Sequence, residues 1–526
     1  MLRWQQVPVK VPMLTFGSLA RSVRKQSLGR LWALATLSIL TTPEVTRASP
    51  LFELIGSSLG SGGFNARGTG PSAASTYFNP ALLPKANQGL EVGFLVVNDA
   101  IGISLDARSP DADVALSNFS TLRKQYPLPT AWLEQGCMKG PGSKCLTDIE
   151  PNPRQSQSSS GNTNAYQVIG FVGNLIKDRA SLGFYAIVPY GALLSAHAFF
   201  VDEREQYFTN SLHPELYADR LTPMSLALGG GVQVTNWLSL GASFTLSLSN
   251  NANGATFVGD SSNLDATLLL STKVNAAVGF APHVSALIEP LDGLDISLTL
   301  HSPQMLEINA DSGTFLGTGT KQVASRSNVN SWLPWTVGFG AVYDFISSQD
   351  HTLSIAATAA YKAWSGYIDR QGERPLPGYE WADTLSGALG LRYQHQRRLS
   401  GYLDVGYEPT PIPPQTGRTN YVGNDRYAAT AGVTYSWPVE SWGVSFRLGA
   451  QAQAHFLAER HQAKLNPTST PNNGSLVRDE WDDNAVDIDG MPIAEAQGLQ
   501  TNNPGWPGFG SRGTILGAVV SVGVLY

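Results

Sequence analysis

Residues 237–250 read "WLSLGASFTLSLSN" and alternate without a slip. Leu238, Leu240, Ala242, Phe244, Leu246 and Leu248 fall on one side of an extended chain. Ser239, Gly241, Ser243, Thr245, Ser247 and Ser249 fall on the other, because successive strand side chains point to opposite faces. A soluble sheet turns its apolar face to a core and its polar face, commonly rich in Lys and Glu, to water. Here the polar face is small and uncharged. The stretch fits a soluble sandwich or a membrane barrel, and the rest of the chain has to choose.

Thirteen other segments carry the same period. They lie near 89–105, 164–176, 179–190, 222–235, 273–287, 293–304, 333–345, 351–364, 383–395, 398–409, 425–437, 441–456 and 513–526. The connections between the fourteen alternate strictly between long and short. The short ones are "IKDR", "TN", "EPLDG", "ISSQD", "QRR" and "PVE"; the long ones run about 106–163, 191–221, 250–272, 305–332, 365–382, 410–424 and 457–512. A soluble sandwich has no reason to gather every short turn at one end. An outer-membrane barrel does, with tight periplasmic turns and long outer loops. The even strand number puts both termini on the short-turn side.

Aromatics sort the same way. On the apolar parity Tyr343, Tyr393, Tyr435, Trp437, Trp442 and Tyr526 lie beside a short turn or at the C-terminus. Trp335, Tyr361, Tyr407 and Tyr427 lie near the opposite edge. Two such rings are expected where amphipathic side chains meet the two membrane boundaries. The chain ends "TILGAVVSVGVLY", a strand closed by an aromatic, which looks like the signal read by the barrel assembly machinery. The predicted fold is all-β, a 14-stranded antiparallel transmembrane barrel of the Gram-negative outer membrane.

The chain has 526 residues, of which 14% are charged, against roughly a quarter in soluble domains. Arg21, Arg24, Lys25 and Arg30 precede the ten-residue apolar run "LWALATLSIL", and "TRA" at 46–48 ends in a small residue. Residues 1–48 are therefore predicted to be a secretory signal, its start at Met1 or Met13. Of 35 basic and 41 acidic residues, seven and one fall within it, leaving 28 and 40 and a net charge of −12. That balance argues against a nucleic-acid partner. Cys137 and Cys145, in "GCMKGPGSKC", are expected to form a disulfide in an exported protein. A zinc site would need two more soft ligands nearby, and the sequence around them has none.

Residues 49–88 are rich in Gly, Ser and Ala and lack a strand pattern. A lumen ringed by fourteen strands is too wide for its own side chains to fill. The segment can be an inward-folded plug or a periplasmic tail, and composition alone leaves both open. "GFNARGTGPSAASTYFNPALLPK" resembles the N-terminal hatch of the FadL family, outer-membrane transporters for long-chain fatty acids and other hydrophobic compounds. Its centre is Tyr77, Phe78, Asn79 and Pro80. "LPWTVGFGAVYDF" with "YKAWS", and "WADTLSGALGLRYQHQRRLSGYLDVGYEPTPIP" with "NDRYAATAGVTY", resemble the family's C-terminal third. The resemblance implies a plug over 49–88 and a barrel over 89–526. It also implies a ligand that lands on the outer loops, enters the barrel and leaves sideways into the membrane by passive diffusion. The loops 106–163 and 457–512 look longer than the family pattern.

For a carboxylate-bearing ligand a charge-assisted bond from an inward arginine is required. Arg426 and Arg447 are the candidates, and Arg392, Lys362, Asp295, Asp344, Asp404 and Glu408 share their inward parity. The bland alternative is an internal network of ion pairs, since buried charges are usually paired. "RDEWDDNAVDIDG" (478–490) clusters oxygens that could take calcium but does not align with an EF-hand loop, and reads as a solvated acidic loop bridged to lipopolysaccharide by divalent ions. No GxSxG or HExxH motif occurs, so no enzymatic role, cofactor or metal is predicted. The sequence thus predicts a channel for hydrophobic small molecules among outer-membrane lipid, with a water-filled solute porin as the alternative.

Overall fold

In the computed structural model the described residues are 51–60, 62–105, 157–191, 213–214, 216–217, 221, 224–248, 252–258, 268–274, 278–316, 321–368, 372, 374–375, 380–396, 398–416, 421–463 and 508–526. The signal region, Cys137, Cys145 and the acidic loop lie outside them.

Fourteen antiparallel strands close into one barrel. In chain order they are β1 (Gly89–Leu105), β2 (Gln157–Ile176), β3 (Ala180–Pro189), β5 (Met224–Thr235), β6 (Leu238–Leu248), β9 (Val278–Leu291), β10 (Leu294–His301) and β13 (Thr336–Ser347). The rest are β14 (His351–Lys362), β15 (Thr384–His395), β16 (Leu399–Glu408), β18 (Arg426–Val439), β19 (Val444–Ala463) and β20 (Gly508–Leu525). Each predicted segment overlaps one of them, and six of the strands, β2, β9, β13, β18, β19 and β20, extend past the predicted bounds. β1 also pairs with β20, from Gly89–Leu525 to Leu105–Phe509. That pairing closes the ring and leaves no barrel edge, as a sheet in hydrocarbon requires.

The opening stretch is β6, between β5 and β9. Ser239, Ser243, Thr245 and Ser247 are buried, while Leu240 is exposed on the outside. The leucine face looks outward and the serine face inward. The same parity exposes Val92, Phe94, Leu298, Phe339, Leu389 and Val520. Tyr343, Tyr393, Tyr435, Trp442 and Tyr526 are exposed at the short-turn end; Trp335, Tyr361, Tyr407 and Tyr427 are exposed at the other. Trp437 is half-buried, stacked between Tyr435 and Phe446. An uninterrupted apolar band between two aromatic rings is the outer surface of an outer-membrane barrel.

Two connections expected to be plain loops are not. Within 250–272 and 305–332 the chain forms β7 (Ala252–Val258), β8 (Leu268–Val274), β11 (Gln304–Leu316) and most of β12 (Lys321–Leu333). They make a four-stranded sheet in the order β12-β11-β8-β7. Each continues a barrel strand (β6, β9, β10 and β13), so this stretch of wall rises beyond the aromatic boundary. Strand structure breaks at Ser302–Pro303 and at Pro334–Trp335, where proline has no N–H for the ladder. "INADSGTFLG" and "KQVASRSNVN" carry polar residues on both parities, and so hid from a search for one-sided alternation. A further bridge joins β4 (His213–Pro214) to β17 (Tyr421–Val422) in parallel.

Leu389 sits mid-strand on β15 with its side chain outside. Leu389→Arg is expected to destabilise the barrel by about 2–4 kcal/mol, the cost of a cation at mid-bilayer depth. Reversible unfolding from lipid vesicles measures it, with Ser239→Ala on the inner face expected to stay near wild type.

Candidate functional site

The N-terminal segment folds as short pieces: α1 (Leu51–Ile55), α2 (Ala66–Thr69), α3 (Ser75–Phe78) and a 3-10 turn over Pro80–Lys85. It runs against inward-facing wall residues. Leu51, Phe52, Ile55, Tyr77 and Leu83 join Leu95, Val168, Tyr185 and Ile187 in one buried apolar cluster. The polar bonds are spread around the wall. Asn65 N donates to Asp404 Oδ2 (2.9 Å), Ala81 N to Ser285 Oγ (2.9 Å) and Thr358 Oγ1 to Asn65 Oδ1 (3.1 Å). Ser58 Oγ and Tyr185 Oη lie 2.6 Å apart. Lys85 pairs with Glu289 at 2.7 Å and Asp295 at 3.0 Å.

Two wall glycines admit this approach. A Cβ on Gly231 would stand 2.2 Å from Pro80 O, and one on Gly241 would stand 2.2 Å from Ala81 N. The Tyr77–Pro80 motif sits at that seat. Tyr77 packs edge-on to both His283 and His301. His301 Nε2 lies 3.1 Å from Phe78 O and donates to it. Asn79 Nδ2 donates to Gly68 O at 2.7 Å, tying α2 to the start of the turn.

On the opposite side the segment stands off the wall, and a cavity of about 90 Å³ lies between. Phe64, Arg67 and Phe78 line it from the segment; Gly387, Ala388, Gly406, Glu408, Arg426 and His455 line it from the wall. A chain of charges borders it. Tyr77 Oη donates to Glu53 Oε1 (2.9 Å), Lys362 Nζ lies 3.7 Å from Glu53 Oε2 and 2.6 Å from Glu408 Oε1, and Arg426 pairs with Glu408. Arg67 donates to the main-chain oxygen of Glu53 and lies over the Phe64 and Phe78 rings, 5.6 Å from each centroid. Burial raises the Glu53 carboxyl, but the nearby Lys362 and Arg67 charges outweigh it and hold the group below its ordinary range.

Three cations thus meet two carboxylates, and Arg67 is the cation paired with neither. Arg67 lies in the stretch that resembles the hatch, but that segment has no strand pattern from which parity could single it out. His455 is also here, fully buried and tilted against Phe64. Arg426, one of the two sequence candidates, borders this cavity. Arg447, the other, does not. It donates to Glu91 Oε1 at 3.0 Å and to Ser436 Oγ at 3.1 Å. It lines a separate, larger cavity of about 530 Å³ toward the short-turn end, with Asp344, Arg392 and Tyr402.

The long-loop end is held by two matching carboxylates. Asp425 accepts from Tyr407 Oη (3.0 Å) and Thr410 N (2.9 Å); Asp383 accepts from Tyr361 Oη and from Ser365 N (2.7 Å). Each ties an outward belt tyrosine to the foot of the next connection. Above them Trp332, Trp364, Tyr367, Trp381 and Tyr421 form a buried aromatic cluster, with Tyr367 and Trp381 stacked at 3.6 Å.

Removing one member of a buried pair strands its partners, at a cost of about 3–5 kcal/mol. Glu408→Ala, which strands Arg426 and leaves Lys362 only Glu53 at 3.7 Å, is expected to fall in that range by denaturant unfolding. Glu408→Gln is expected to cost less, because its amide oxygen still accepts.

No protein-family model and no curated protein matches the sequence. Among solved structures the chain is similar to a Pseudomonas aeruginosa FadL homologue, with 16% identity, a TM-score of 0.49, and 92% of this chain and 98% of that one covered. It is similar to the toluene transporter TodX of P. putida, with 14% identity, a TM-score of 0.45 and coverages of 92% and 99%. It is also similar to the toluene transporter TbuX of Ralstonia pickettii, with 12% identity, a TM-score of 0.40 and coverages of 92% and 100%. The chain itself is a closed fourteen-stranded outer-membrane barrel, and these are the proteins its layout is similar to.

Proposed function

We propose that the protein takes up long-chain fatty acids or similar hydrophobic small molecules across the outer membrane by passive diffusion. Residues 49–88 act as the plug of the barrel spanning 89–526. The observation that carries this reading is the cavity between segment and wall. It combines two phenylalanines and a floor of Gly and Ala with a charged border, groups that suit the polar end of such a molecule and the adjoining part of its apolar body. Arg426 is the wall residue proposed to meet that end, and Arg447 holds the lower lumen. Sideways exit into the membrane comes from the resemblance to the FadL family. The surrounding partners are outer-membrane lipid, lipopolysaccharide outside and the assembly machinery during insertion.

A second reading, a water-filled solute porin with no hydrophobic substrate, draws on the larger polar cavity at the short-turn end. Mass spectrometry of molecules co-purifying with the barrel from its native membrane separates the two. Enrichment of one hydrophobic class over bulk lipid is expected; bulk lipid alone would favour the porin. In planar bilayers the intact protein is expected to conduct little and the 49–88 deletion to conduct continuously. Gly241→Leu, which intrudes on Ala81, is expected to fall between them.

A further inference from the structure

The cavity toward the short-turn end contains an arginine that is unpaired among the described residues. Arg392 lines it from β15, and its Nε and Nη2 atoms are shielded from water with no hydrogen-bond partner. The neighbouring carboxylates are engaged elsewhere. Asp404 Oδ2 accepts from Asn65 N at 2.9 Å, and Asp344 Oδ1 accepts from Ser354 Oγ at 2.6 Å. Arg447, the other arginine of this cavity, is held by Glu91 and Ser436. A guanidinium has five N–H donors in a planar fork, and leaving them shielded and unpaired is costly. Those donors call for an anion.

Neutral polar groups stand next to it. Gln394 follows on the same face of β15, with Thr352 and Ser400 as its ladder partners on either side. All three line the cavity, whose rim reaches Gly443 in the β18–β19 turn and Tyr526 at the C-terminus. Its volume is about 530 Å³, ample for a small solute arriving from the short-turn side. Hydroxyl and amide groups stand here where the smaller cavity has Phe64 and Phe78. The geometry points to a second binding site, for a small hydrophilic oxyanion, phosphate or a short carboxylate, held by the Arg392 fork with Gln394, Thr352 and Ser400 beside it. Arginine suits both ions, because its fork matches the paired oxygens of either. The site is independent of the ligand that the smaller cavity takes.

The test is equilibrium dialysis of the full mature protein in detergent against radiolabelled inorganic phosphate and, separately, radiolabelled acetate. Wild type is expected to bind one equivalent of at least one of them. Arg392→Gln is expected to weaken that binding about tenfold or more, as losing a hydrogen bond to a charged group does. Arg392→Lys, which keeps the charge but not the fork, is expected to fall between. Arg398→Gln removes the same charge from the exposed turn between β15 and β16 and is expected to leave binding unchanged. Heat-shifted mobility on gels checks that each variant is folded. Arg392-dependent binding of phosphate alone, of acetate alone or of both names the ion. Binding of neither, or equal binding in wild type and folded Arg392→Gln, would overturn the site, as would equal losses in Arg392→Gln and Arg398→Gln.

Discussion

Hydrocarbon offers no hydrogen-bond partner to a peptide group, so every backbone N–H and C=O crossing it must be paired within the protein. The β1–β20 ladder is where this chain meets that demand. It runs the full length of β1, joining the first spanning segment to the last across more than four hundred residues. Without it two edges would face lipid. Closure at fourteen strands then fixes the second problem, a lumen too wide for wall side chains to fill. The N-terminal segment runs against inward-facing wall residues, and its own backbone must be satisfied there as well. The bonds from Asn65 N to Asp404 and from Ala81 N to Ser285 are part of that accounting.

What could be read from the sequence follows the same physics. A strand with lipid on one side and lumen on the other must alternate, so all fourteen spanning segments were legible. The aromatic belts were legible because the membrane boundary selects rings by position. The β7, β8, β11 and β12 strands form a separate four-stranded sheet, and their sequences lack the one-sided alternation that marks a spanning strand. The site was legible only in part. Inward parity found Arg426 and Arg447, but parity gives direction along one strand and says nothing of what a neighbouring strand supplies. Glu408 and Glu91 are those partners, and both arginines are ion-paired. Arg67 could not be reached by strand parity at all.

The family-like motifs acquire physical reasons. Asp425 and Arg426 are adjacent but point to opposite sides of the wall. Asp425 accepts from the outward Tyr407 and from Thr410 N, while Arg426 reaches inward to Glu408. Tyr407 and Glu408 are themselves adjacent and opposed. Two neighbouring pairs thus clamp β16 to β18, once at the membrane boundary and once in the lumen.

The cavity owes its existence to an asymmetry between two sets of small residues. Gly231 and Gly241 on one side, and Ala388 and Gly406 on the other, all face the N-terminal segment. At the first pair the segment closes to 2.2 Å of where a Cβ would be; at Gly406 the nearest segment atom, on Phe64, is 3.6 Å away. Apolar packing alone would draw the segment onto both walls, since a gap forfeits dispersion contacts. On the cavity side Arg67, Glu53, Lys362, Glu408 and Arg426 stand between. Charges in a low-dielectric setting need partners at hydrogen-bond distance and cannot be pressed against Gly and Ala without losing them. The ion pairs therefore act as spacers: they stabilise one another and keep the opposing apolar surfaces apart, which leaves room where Arg67 and Arg426 stand beside Phe64 and Phe78.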